Sequence, residues 1–229
     1  MFIGVSRSHQ WRLSEPPEPS DDKDFQLKRV EFLSDVDYRC TDCHFRSEKY
    51  QHVHHKDGNH KHNEIINFEC KCPLCHMCEH LGFVADNKLA TLVFCPSLTQ
   101  EELNAYVRIS WVANYLAKIQ GPEKCGTTLL RIARDTGLWI ELLSATAQQV
   151  SQVYKITNIR ALAEDFRAMN DKEYSERQLK YPHLRLLFTP SSFSREIEEW
   201  SRNQDFFSDF YDPNNWPEIV NNHISSLEG

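Results

Sequence analysis

The residues best suited to chemistry lie between Cys40 and His80. Cys40-Thr-Asp-Cys43 and Cys72-Pro-Leu-Cys75 are Cys-x-x-Cys pairs about thirty residues apart, and His54-His55, Asn67, His76 and His80 stand between and after them. Each pair makes a tight knuckle that presents two thiolates. Two such knuckles close a tetrahedral, water-free site of the structural zinc type. Cys40, Cys43, Cys72 and Cys75 are therefore the expected zinc ligands, with buried free thiols as the alternative. The register of the second pair stays open, because Cys75-His-Met-Cys78 is itself a Cys-x-x-Cys. Cys72 and Cys75 would sit in a turn before a helix, whereas Cys75 and Cys78 would both sit on it. Cys70 adds one more thiol nearby, and Cys95 and Cys125 read as small core residues. His44, His52, His60 and His62 read as exposed loop histidines.

These side chains need elements to hold them. Residues 50–55 alternate around Val53 and read as the strand that delivers His54 and His55. Asp57-Gly-Asn-His is turn chemistry, and Asn67-Phe68 begins a return strand. Pro73 suits the first turn of a helix, where its missing N–H would have lacked a partner anyway. That helix is expected to run through His76 and His80 to about Phe83, placing the two histidines one turn apart on one face. Residues 25–33, with Lys28-Arg29 interrupting the apolar positions, read as a short strand or irregular lead-in.

From Asn87 the character changes. Residues 89–94 read as a strand, and Thr99-Gln-Glu-Glu102 is a capping-box signature opening a helix that ends before Gly121-Pro122. Helical spacing returns in 128–150, 158–169 and 171–180, residues 184–188 read as extended, and 194–202 as a last short helix. The expected organisation is a flexible arm over 1–24, a zinc-binding module over 25–95, a helical region over 96–203 and an aromatic, acidic tail over 204–229.

Composition narrows the function classes. With 229 residues, 40% of them hydrophobic, the chain can bury a sizeable core, and no apolar run approaches a membrane span. The first residues carry no signal-peptide run, so the 8 cysteines favour metal ligation and free thiols in a cytoplasmic protein over disulfides. A net charge of −7 counts against nucleic acid as a partner, since gripping phosphates needs clustered Lys and Arg. Even in the central stretch Lys49, Lys56, Lys61 and Lys71 are balanced by Asp42, Glu48, Asp57, Glu64 and Glu69.

The run HVHHKDGNHKHNEIINFECKCPLCH, with Cys40-x-x-Cys43 before it, resembles a zinc-ribbon HNH (ββα-metal) domain over roughly residues 38–82. The resemblance implies an α+β chain, with a small zinc-bound HNH-like ββα module followed by a larger, mainly helical half. It implies that His55 would be the general base and Asn67 its orienting neighbour if the chain were a nuclease. His54, His76 and His80 would then hold a second divalent metal. The segments PSLTQEELNAY, SERQLKYPHLRLL and FSREIEEW resemble the IcmJ/DotN family of the type IVB (Dot/Icm) secretion systems. That resemblance implies a cytoplasmic adaptor docked on the C-terminal tail of the coupling ATPase, where effectors are recruited at the inner-membrane complex.

Two functions follow from these readings. In the first, zinc fixes the module and the helical half offers a groove to a partner segment. In the second, the chain is a metal-dependent endonuclease. A nuclease needs a positive surface beside an accessible His55; an adaptor needs an apolar groove elsewhere.

Overall fold

The computed structural model describes residues 3–5, 23–59, 61–121 and 123–202. The expected arm lies outside these residues apart from 3–5 and 23–24, and the expected aromatic tail lies wholly outside them. The fold is α+β, with a Cys/His cluster in the N-terminal part and a helical half after it. The described residues fall into two compact units, each drawn from two stretches of chain. One is drawn from Met1–Ala90 and Tyr154–Pro182, the other from Thr91–Val153 and His183–Gly229.

The first unit opens with helix α1 (Lys23–Asp35), where a strand or irregular segment was expected. Phe25, Phe32 and Leu33 are buried while Leu27 and Val30 are 73% and 58% exposed, so the inward positions follow helical and not strand periodicity. Strands β1 (His52–His55) and β2 (Phe68–Lys71) pair antiparallel, with His52 opposite Lys71 and His55 opposite Phe68. Phe25, Phe32 and Leu33 pack with Phe68 and Cys70 into one apolar cluster that Val53 also joins. The turn leaving β1 uses Gly58 at φ 69°, a left-handed conformation that costs glycine little.

Helix α2 (Pro73–Met77) begins where Pro73 was expected to begin it, capped by Cys72, whose sulfur accepts the Cys75 N–H. The single helix expected to reach Phe83 is two. The chain leaves helical geometry at His80 (φ −124°, ψ 52°) and restarts as α3 (Leu81–Asp86). The cause lies far off in sequence. Gly4 donates its N–H to the Cys78 carbonyl at 2.8 Å and accepts the Leu81 N–H at 3.2 Å, taking up groups a continuous helix would have bonded internally. A Cβ on Gly4 would lie 2.7 Å from the Tyr174 hydroxyl, so a larger residue there would have to displace that ring.

Helices α7 (Ile159–Ala168), α8 (Asp171–Ser175) and α9 (Arg177–Lys180) complete this unit. α7 packs on α3, with an Arg160–Asp86 ion pair between them. Tyr174 and Arg177 bond the backbone of Val5 and Ile3.

In the second unit, β3 (Ala90–Phe94) pairs with β4 (Leu184–Phe188). Helix α4 (Gln100–Gln120) starts with the expected capping box, in which Glu102 accepts the Thr99 N–H at 2.7 Å, and it ends at Gly121. The Gln100 side-chain amide bonds both backbone groups of Leu186, at 2.8 and 3.0 Å, fixing α4 on β4. Helix α5 (Thr127–Ala145) packs along α4, helix α6 (Ala147–Tyr154) follows, and α10 (Ser194–Arg202) packs on α4. Trp111, Trp139 and Trp200 are all buried, so they belong to this unit's core.

Candidate metal centre

The sulfurs that converge are those of Cys40, Cys43, Cys72 and Cys75, all within 4.8 Å of one another. The first knuckle is a tight turn closed by the His44 N–H on the Cys40 carbonyl at 2.9 Å, with His44 at φ 58°. The second is the N-terminal turn of α2. A 2.7 Å bond from the Thr41 N–H to the Cys70 carbonyl docks the first knuckle on β2. Cys43 Sγ and Cys72 Sγ lie 3.7 Å apart, a separation that a tetrahedral ion with about 2.3 Å bonds to sulfur accommodates.

Without a counter-charge, this box disfavours thiolates at Cys72 and Cys75. Burial pushes the Cys72 thiol well above its ordinary range, and the hydrogen bond with Cys40 does the same for Cys75. Thiolates gather here only with a positive charge to neutralise them. Cys70 and Cys78 do not join the four. Cys70 faces the apolar cluster, where burial raises its thiol to about 12, and Cys78 is wholly buried.

A second group forms beside α2. His54, His76 and His80 each bring a ring nitrogen within 4.8 Å of the others, and His76 Nε2 lies 3.2 Å from His80 Nε2. The break at His80 does not separate the pair, because 3₁₀-type bonds (Glu79 N–H to His76, His80 N–H to Met77) keep the turn tight. Burial lowers His54 and His76 from the ordinary histidine range, which favours the uncharged imidazole, the form that binds metal.

His52 is not an exposed loop residue. It lies on β1 on the same face as His54, two positions away, and its Nδ1 is 2.8 Å from Nδ1 of His76. Burial, reinforced by the Arg29 charge, lowers it to about 4. Glu79 also belongs here, with Oε2 3.7 Å from His54 Nε2 and Oε1 2.5 Å from Lys71 Nζ. The Lys71 side chain is only 4% exposed, and it also reaches Asp42 at 3.0 Å and Glu69 at 3.3 Å. Strand alternation and the (i, i+3) position of Glu79 after His76 are the sequence signals that point to these two residues.

His55 lies on the other face of β1 and is 5% exposed. Its ring stacks on Phe25 at 5.7 Å, meets Phe68 edge-on at 5.2 Å, and its Nε2 is 2.9 Å from Asn63 Oδ1. Asn67, in the 3₁₀ turn before β2, is buried. Its amide donates to Asp57 at 2.9 Å and to the His62 carbonyl at 3.0 Å, and its Oδ1 accepts the Asp57 N–H, so it braces the 57–62 loop. In that loop His62 lies 2.6 Å from Asp57; this bond raises the histidine and lowers the carboxyl.

Among the described residues no helix is long and apolar enough to cross a membrane. In the second unit, a groove of about 720 Å³ runs between α4 and α5 and along β4, lined by Trp111, Tyr115, Ile140, Leu187, Phe188 and Ile197 among others. No family model matches the chain. The sequence is 25% identical over 183 residues to the Type 4 apparatus protein DotN of Legionella pneumophila subsp. pneumophila (strain Philadelphia 1), covering 72% of this chain and 73% of that protein.

Proposed function

We propose that this chain is an adaptor subunit of a bacterial type IVB secretion coupling complex, built on an HNH-type ββα module that no longer cleaves nucleic acid. The observation that carries this reading is the position of His55. A general base must come within hydrogen-bond reach of an attacking water beside a phosphate. His55 instead lies between Phe25 and Phe68 and bonds Asn63. The likeness to a Type 4 apparatus protein over most of both chains supports the secretion role.

In this reading Cys40, Cys43, Cys72 and Cys75 hold Zn²⁺. Four convergent thiolates with no open position are the donor set of a structural zinc. His54, His76 and His80 hold a second divalent ion that braces α2 against β1. The adaptor is cytoplasmic and reaches the inner-membrane complex through its partner. That partner is the C-terminal tail of the coupling ATPase, a segment that the apolar groove of the second unit can take up.

The convergence of His54, His76 and His80 favours the other reading, a metal-dependent endonuclease. Purification from the native cytoplasm with mass spectrometry of the bound proteins separates the two. The adaptor reading requires the coupling ATPase in the eluate. Its consistent absence, together with divalent-dependent nicking by the purified chain, would transfer the assignment to the nuclease.

A further inference from the structure

We propose that His52 and Glu79 are the residues that position the histidine cluster for its metal, and that Glu79 links this cluster to the cysteine site through Lys71. The inference rests on the reading that His54, His76 and His80 hold a divalent ion. A histidine ligating through one ring nitrogen needs a partner for the other, which fixes its tautomer and ring angle and strengthens it as a ligand. His76 turns Nε2 toward His80 at 3.2 Å, and the atom 2.8 Å from its Nδ1 is His52 Nδ1. His52 thus accepts the N–H that leaves His76 Nε2 free to ligate. It comes from β1, the strand that supplies His54, so one strand delivers a ligand and the group that orients another.

Glu79 acts on His54. Its Oε2 lies 3.7 Å from His54 Nε2, close enough for the carboxylate charge to favour one orientation of the ring. The carboxylate cannot turn freely toward water, because Oε1 is held at 2.5 Å by Lys71 Nζ. The same ammonium holds Asp42, at 3.0 Å, inside the first cysteine knuckle between Cys40 and Cys43. A single buried cation therefore connects the loop carrying two thiolates to the carboxylate facing the histidines.

The test is metal titration of the full-length chain and of Glu79→Gln and His52→Gln, substitutions that keep side-chain size or polarity. Cobalt(II) serves as the probe. Bound to four sulfurs it gives intense thiolate charge-transfer bands, and bound to imidazoles it does not, so the two sites are read separately. The wild type is expected to take up two equivalents. Both variants should keep the thiolate bands at full intensity and bind the second equivalent about 10-fold to 100-fold more weakly. Unchanged second-site affinity in the variants overturns the inference. Loss of the thiolate bands together with the second equivalent also overturns it, by showing that the two residues serve the fold alone. A wild type that takes up one equivalent removes the second metal itself and the inference with it, while capture of the ATPase scores the adaptor reading independently.

Discussion

The Phe25 ring lies nearly parallel to that of His55, 24° between planes and 5.7 Å between centroids. Phe25 belongs to α1, ahead of the clustered cysteines and histidines in sequence, and His55 to the strand that delivers His54. A side chain from outside the ββα arrangement thus occupies one flank of the imidazole, and Phe68 occupies another.

His55→Ala should therefore behave as a core substitution. We expect a loss of about 1–3 kcal/mol in denaturant unfolding, from the aromatic contacts and the Asn63 bond, with capture of the ATPase tail unchanged. Neither wild type nor variant should nick DNA or RNA with Mg²⁺ or Mn²⁺. Reproducible nicking that disappears in His55→Ala would overturn the adaptor assignment.

Cys40→Ser should unfold the zinc-binding module, residues 25–95. Structural zinc contributes about 10–16 kcal/mol in small Cys-rich peptides, a large share of what a short β-hairpin and two brief helices rely on. Elemental analysis should find one tightly held zinc in the four-cysteine site of the wild type, and circular dichroism should show lost structure in the variant. Under half an equivalent of zinc in the gently purified wild type counts against the site.

Lys71→Met should cost about 3–5 kcal/mol at neutral pH, since it strands Asp42, Glu69 and Glu79 around a buried position. Burial works to lower Lys71, but Glu79 and Asp42 outweigh it and raise the ammonium above 10.5. A raised cation contributes fully below its unfolded value and loses that contribution as pH climbs through the folded one. For Glu79 burial works upward, while the charges of His54 and Lys71 hold it below 4.5. A lowered carboxyl contributes above its unfolded value and loses that contribution as pH falls through the folded one. The deficit of Lys71→Met should thus shrink on acidification from pH about 7 to about 4, as the stranded Glu79 carboxylate protonates. Equal deficits at both ends, read from urea midpoints, would show that the three contacts do not act as an ionic cluster.

Ile140→Arg should weaken capture of the ATPase tail while leaving thermal stability nearly unchanged. Ile140 lines the groove and is only partly buried, so a longer charged side chain can reach water, yet it places a desolvated charge against an incoming apolar segment. Calorimetric titration with the tail peptide should show at least a 10-fold loss of affinity. Undiminished binding would move the docking surface off this groove.

What could be read in advance depended on range. The cysteine knuckles, the Thr99–Glu102 capping box and the Gly121 stop are local signals, each set by residues within a few positions, and the elements form where those signals lie. α1 escaped because Leu27 and Val30 are apolar yet exposed, which blurs the spacing of Phe25, Phe32 and Leu33. The break at His80 could not be read locally at all, since its bonding partner is Gly4. His52 was misread because composition marks it as one of many polar loop residues, while alternation along β1 places it beside His54.

Each unit is assembled from stretches far apart in sequence, and this sets the order in which a growing chain can complete them. The clustered cysteines and histidines are all made by residue 80, but α7, which covers α3, and Tyr174 and Arg177, which secure residues 3–5, follow only after α4 and α5. During synthesis the first unit must wait, half-covered, for about one hundred further residues, some 5–20 s at bacterial elongation rates of about 5–20 residues per second. A metal captured early in that interval would hold the nascent hairpin in register until its cover arrives. A chain released after residue 95 would present α3 with its packing partner still unmade.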